Sequence, residues 1–185
     1  KRALEISERS TRPVDEKGIE LTDLIKELDE DSITYDNISV SFDRQSGVVY
    51  LTIKGPSGDL PVDPESILAL GDKYWPLAVA RDLDDAIIHL SFNELELGTW
   101  VFRSIGGIDR VADVDEVLIK HKDHWLINEI IQYLKRVLKR LDLASRSLVT
   151  LVEPGSCFAG TLLELVFAAD RSYMLDGIFQ DSSEP

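Results

Sequence analysis

Apolar and polar residues alternate from Ile38 to Phe42, with Ser39 and Ser41 between Ile38, Val40 and Phe42. That period of two is the mark of a half-buried strand. Asp43-Arg44-Gln45-Ser46-Gly47 supplies turn chemistry, and alternation resumes over 48–53. The pair predicts a β-hairpin. Gly55, Pro56, Gly58, Pro61 and Pro64 then predict a long irregular connection.

The period changes beyond it. Leu83, Ala86, Ile87 and Leu90 form an apolar stripe and predict a helix over 77–90. Trp100-Val101-Phe102 reads as a short strand closed by Gly106-Gly107. Residues 124–141 give the strongest helical pattern, with Leu126, Ile127, Ile130, Ile131, Leu134, Val137, Leu138 and Leu141 on one face. Lys135, Arg136, Lys139 and Arg140 occupy its last turns, where cations complement the helix dipole. A strand over 148–152, a break at Pro154-Gly155, a helix over 161–169 and a strand over 172–175 complete the order. Strands alternating with helices predict an α/β fold with helical crossovers.

The amino-terminal stretch differs. Residues 1–34 are charge-rich and poor in aromatics. Ala3, Leu4 and Ile6 predict a helix ending before Pro13, and Leu21, Leu24, Ile25 and Leu28 predict a second helix over 21–28. We therefore expect docking or linker helices over 1–34 and a folded domain over 35–185.

Composition narrows the class. The 185 residues suit one domain, with 44% hydrophobic and 29% charged residues. A net charge of −14 argues against nucleic acid, whose binders need Lys and Arg to displace counterions. It leaves room for a phosphorylated ligand held by local cations and helix ends. One cysteine, Cys157, allows no internal disulfide and points to a reducing compartment, expected to be the cytoplasm. No apolar run is long enough to span a membrane, and no signal peptide is visible. The chain begins at Lys1-Arg2-Ala3 without an initiator Met and is expected to be cut from a longer one.

Two segments carry a resemblance. One is Leu151-Val152-Glu153-Pro154-Gly155-Ser156-Cys157-Phe158-Ala159-Gly160-Thr161-Leu162-Leu163-Glu164-Leu165, continued by Ala168-Ala169-Asp170. The other is Trp75-Pro76-Leu77-Ala78-Val79-Ala80-Arg81-Asp82-Leu83-Asp84-Asp85-Ala86-Ile87 with Asn93-Glu94-Leu95-Glu96-Leu97-Gly98-Thr99-Trp100. The first is similar to the signature of the crotonase (enoyl-CoA hydratase) superfamily. Together they resemble the second crotonase-like unit of the benzoyl-CoA-dihydrodiol lyases.

The resemblance implies a ββα spiral, here incomplete at the carboxy terminus. It also implies coenzyme A thioester chemistry, with coenzyme A as part of the substrate and no separate cofactor or metal. Two backbone N–H groups would hold the thioester oxygen as negative charge develops on it. Ala112, in the loop 110–115 after the Trp100 strand, falls at one donor position. Thr161, beside Gly160, falls at the other. Glu164 matches an acid/base carboxylate. The implied parent reaction is water-assisted ring cleavage of a dihydrodiol- or epoxide-derived benzoyl-CoA in aerobic benzoate degradation. The product is a dialdehyde-type or semialdehyde acyl-CoA, with loss of formate. The implied partners are the acyl-CoA substrate, the amino-terminal crotonase unit of the same enzyme and further copies in a homo-oligomer.

The chain also departs from the family pattern. Thr161-Leu162-Leu163 replaces glycines, the stretch from Gly155 to Glu164 is one residue longer, and Asp113 stands for a glycine. Asp113 and Asp115 put negative charge where an anionic intermediate would form. Glu184 has a spacing comparable to a second acid/base carboxylate but lacks the expected surroundings, and is not assigned. A second reading is therefore a non-catalytic crotonase-like unit that supports the active half. A third is a stand-alone enoyl-CoA hydratase or isomerase. Cys157 lacks a neighbouring base and reads as a buried thiol. His121 and His124 lack a third ligand for a metal. The Lys135 to Arg140 cluster could meet coenzyme A phosphates, or simply be a solvated helix end.

Overall fold

The computed structural model describes residues 1–10 and 17–176; Pro13 and Glu184 lie outside them. In chain order the elements are α1 (Arg2–Ser7), β1 (Lys26–Leu28), β2 (Ser32–Tyr35), β3 (Ile38–Asp43) and β4 (Val48–Lys54). Then come α2 (Pro64–Leu70), a 3-10 turn (Gly71–Lys73), α3 (Trp75–Asn93), β5 (Thr99–Ile105), α4 (Ile108–Lys120) and α5 (Trp125–Asp142). β6 (Ser147–Val152), α6 (Gly160–Ala168) and β7 (Arg171–Met174) follow.

The seven strands among the described residues form one mixed sheet whose spatial order equals the sequence order. β1 to β4 run antiparallel in turn. β5, β6 and β7 each add parallel to the strand before. Parallel neighbours need crossovers, and α2 with α3, α4 with α5, and α6 supply them. The expected α/β architecture is thus present. Alternation sets the register: Val49, Leu51 and Ile53 face the helices beside Trp100, Phe102 and Ser104. Val79, Ala80, Leu83, Ala86, Ile87 and Leu90 of α3 pack on that face. On the opposite face Arg103 stacks over Tyr50, 5.1 Å from its ring centre, and pairs with Glu153 at 3.2 Å.

Two expectations need correction. No helix forms over 21–28: Lys26–Leu28 is an exposed strand paired with β2. An isolated amphipathic turn has little to stabilise it, whereas the edge of β2 offers backbone partners. The sheet therefore reaches back into the stretch expected to be a linker. That stretch is also tied down at Thr22, whose amide and hydroxyl donate to Asp72 at 2.6 and 2.7 Å. The second correction concerns residues 110–115, which are helical, within α4, and form no loop.

Candidate functional site

α6 starts where Pro154-Gly155 has ended the strand register and an extended Ala159 lets the chain turn. Gly160 takes φ +46°, a left-handed conformation that glycine adopts without penalty. The first amides of any helix need acceptors from outside. Ala159, at the capping position, has no side chain to offer one. The acceptor comes from α4 instead. The Thr161 N–H donates to Asp115 Oδ2, and the Thr161 hydroxyl donates to Asp115 Oδ1 at 2.7 Å. A carboxylate at the positive end of the helix is also favoured by its dipole. Such a cap is worth about 0.5 to 2 kcal/mol.

The residues of this cap also line a cleft of about 690 Å³ between α4, α5 and α6. Leu118, Ile119, Ile131, Leu134, Leu138 and Ala168 give it apolar walls. Lys135, Lys139, Asp115, Asp142 and Glu164 supply charge, and Gly160 and Thr161 complete the lining. Both cations and Asp142 come from α5, Asp115 from α4 and Glu164 from α6, so the cleft combines apolar walls with charges of both signs.

Of the residues singled out from sequence, Gly160, Thr161 and Glu164 share this cleft. Glu164 is exposed. Ala112 does not join them. It is an exposed residue in the second turn of α4, where the helical ladder directs its N–H to the carbonyl four residues back. The reason lies in the chain: β5 ends at Ile105, and only Gly106 and Gly107 separate it from α4. Val111, Val114 and Leu118 then recur at helical spacing and are buried. Of the basic cluster, Lys135 and Lys139 line the cleft and Arg136 and Arg140 do not.

Cys157 is fully buried beneath the carboxyl ends of β4 and β5, where its amide donates to Ser104 Oγ at 2.9 Å. Burial pushes its thiol pKa up, so it is a poor nucleophile. A Cβ on Gly106 would lie 3.0 Å from Gly55 Cα, so the two loops touch through glycine. No cluster of three metal-ligating side chains occurs among the described residues. No helix among them is long and apolar enough to cross a membrane.

Sequence reasoning missed Asp115 as a partner of Thr161 and missed Tyr74. The helical spacing of Val111, Val114 and Leu118 could have placed Asp115 on a helix flank. Tyr74 is buried in the cluster of Ile67, Val114, Leu118 and Ile127. Its hydroxyl has no hydrogen-bond partner among the described residues. Burial, then the charge of Asp115, pushes its pKa up to about 12.

No family model matches the chain. The chain is 44% identical over 175 residues to benzoyl-CoA-dihydrodiol lyase of Aromatoleum evansii. That match covers 95% of this chain and 32% of the relative, so the chain spans about a third of the length of the curated protein it resembles.

Proposed function

We propose, from this kinship with benzoyl-CoA-dihydrodiol lyase, that the chain is a crotonase-like part of a longer lyase that cleaves the ring of coenzyme A thioesters. The observation that carries the reading is identity of 44% sustained across 95% of the chain. The monotonic strand order supports a crotonase-like spiral, because successive right-handed crossovers advancing one way put their crossover helices on one face. The substrate class is dihydrodiol- or epoxide-derived benzoyl-CoA in benzoate degradation. The parent works in the cytoplasm as a homo-oligomer, needs no separate cofactor, and pairs this unit with an amino-terminal catalytic one.

Within the parent, this unit supports the catalytic half and does not turn over substrate itself. The favouring observation is the engagement of the Thr161 amide by Asp115. A thioester oxygen gains from an amide only if that amide is free to donate to it. Hydratase or isomerase chemistry would also require an acid and a base in reach of one substrate. Glu164 is the carboxylate the family pattern supplies, and Asp115 is committed to α6.

Isothermal titration of this chain with benzoyl-CoA, beside turnover of the dihydrodiol by the full-length enzyme, tests the reading. We expect turnover by the full-length enzyme and neither binding nor turnover by the chain alone. Turnover by the chain alone would overturn the supporting role. A full-length enzyme inert towards benzoyl-CoA derivatives would overturn the lyase assignment.

A further inference from the structure

We propose that Asp115 is a built-in plug: its carboxylate sits where a thioester oxygen would take the Thr161 amide, and so keeps the α4–α6 cleft shut to thioesters. The inference rests on the crotonase-like reading above and adds to it the residue that disables the site. Three observations converge. Thr161 gives Asp115 both its N–H and its hydroxyl. The space a side chain at position 160 would fill is occupied by Asp115 Oδ2. Asp115 is itself half-buried and lines the cleft.

The competition favours the plug. A carboxylate accepts charge-assisted hydrogen bonds, roughly twice as strong as those to a neutral thioester oxygen. It is also tethered on a helix packed against α6, whereas a ligand must give up its translational freedom to arrive. The apolar walls of the cleft lie beside it, so removing the carboxylate frees a donor, Thr161, that already lines the cleft.

The test compares the wild-type chain with Asp115→Ala and Asp115→Asn. Two quantities are measured for each: hydrogen exchange at the Thr161 amide by NMR, and benzoyl-CoA binding by titration calorimetry. In the wild type the amide is expected to be protected and binding undetectable. In Asp115→Ala the amide should exchange at least tenfold faster and benzoyl-CoA should bind at least tenfold more tightly. Asp115→Asn keeps one acceptor without the charge and should fall between them, which preserves the comparison if the alanine variant does not fold. A wild-type Thr161 amide that exchanges freely, or measurable wild-type binding equal to that of the variants, overturns the plug. An amide released in a folded variant that still binds no benzoyl-CoA overturns instead the thioester reading beneath it.

Discussion

A Cβ placed on Gly160 would lie 1.7 Å from Asp115 Oδ2 and 2.8 Å from its Cγ. Position 160 therefore admits no side chain while Asp115 holds its place. The left-handed φ of +46° adds a second reason for glycine. Gly160→Ala should cost about 1 to 3 kcal/mol, from backbone strain and from displacement of the cap. Chemical denaturation would measure the loss. An unchanged midpoint would mean that the carboxylate does not occupy the position described.

Asp72 anchors the amino-terminal stretch to the domain. It accepts from the Thr22 amide and hydroxyl, and pairs with Arg81 at 2.8 Å, with only 6% of its side chain exposed. The Thr22 hydroxyl first, and then the Thr22 amide and Arg81, hold its carboxyl below the usual range against the opposing effect of burial. A depressed folded pKa stabilises the fold above the unfolded value, about 4 for aspartate, and that stabilisation disappears as pH falls through the folded value. Urea midpoints should thus fall on acidification from pH 5 towards pH 2, and Asp72→Asn should flatten that dependence. Asp72→Ala removes the ion-pair partner of Arg81, which keeps only the Thr22 carbonyl, and should cost about 2 to 3 kcal/mol at pH 7.

Much of the architecture was legible because burial imposes a period. α3 and α5 follow their apolar stripes, and β3 and β4 follow their alternation. The failures have local causes. Leu21, Leu24, Ile25 and Leu28 have helical spacing, yet Leu21, Ile25 and Leu28 remain exposed and β2 sets the local structure. α4 carried its own signal in Val111, Val114 and Leu118, but the family pattern called for a loop there and outweighed it. In the cleft, Gly160, Thr161 and Glu164 were legible because they are neighbours in sequence. Asp115 lies 46 residues from Thr161, and only the packing of α4 on α6 brings them together.

Tyr74 buries a hydroxyl with no partner among the described residues. An unsatisfied buried polar group costs about 1 to 3 kcal/mol. Tyr74→Phe keeps the ring within its apolar cluster and removes that cost. It should therefore leave stability unchanged or raise it by about 1 kcal/mol. A clear drop in melting temperature would show that the hydroxyl has a partner in solution, with nearby Asp115 the first to examine.

Cys157 offers a probe of the carboxyl end of the sheet. Its side chain is wholly buried, and its Sγ lies near both the Gly55 and Gly106 positions. The thiolate is the reactive form, and burial raises the thiol pKa, so a folded chain should react slowly with a disulfide reagent at pH 8. Denaturant should make the reaction fast and complete. Gly106→Ala would place a Cβ 3.0 Å from Gly55 Cα and 3.4 Å from the sulfur, on a backbone with φ +150°. The two loops must then separate, so this variant should react faster than wild type before any global unfolding. Equal rates for the two folded proteins would mean that the contact between these loops does not control access to the sulfur.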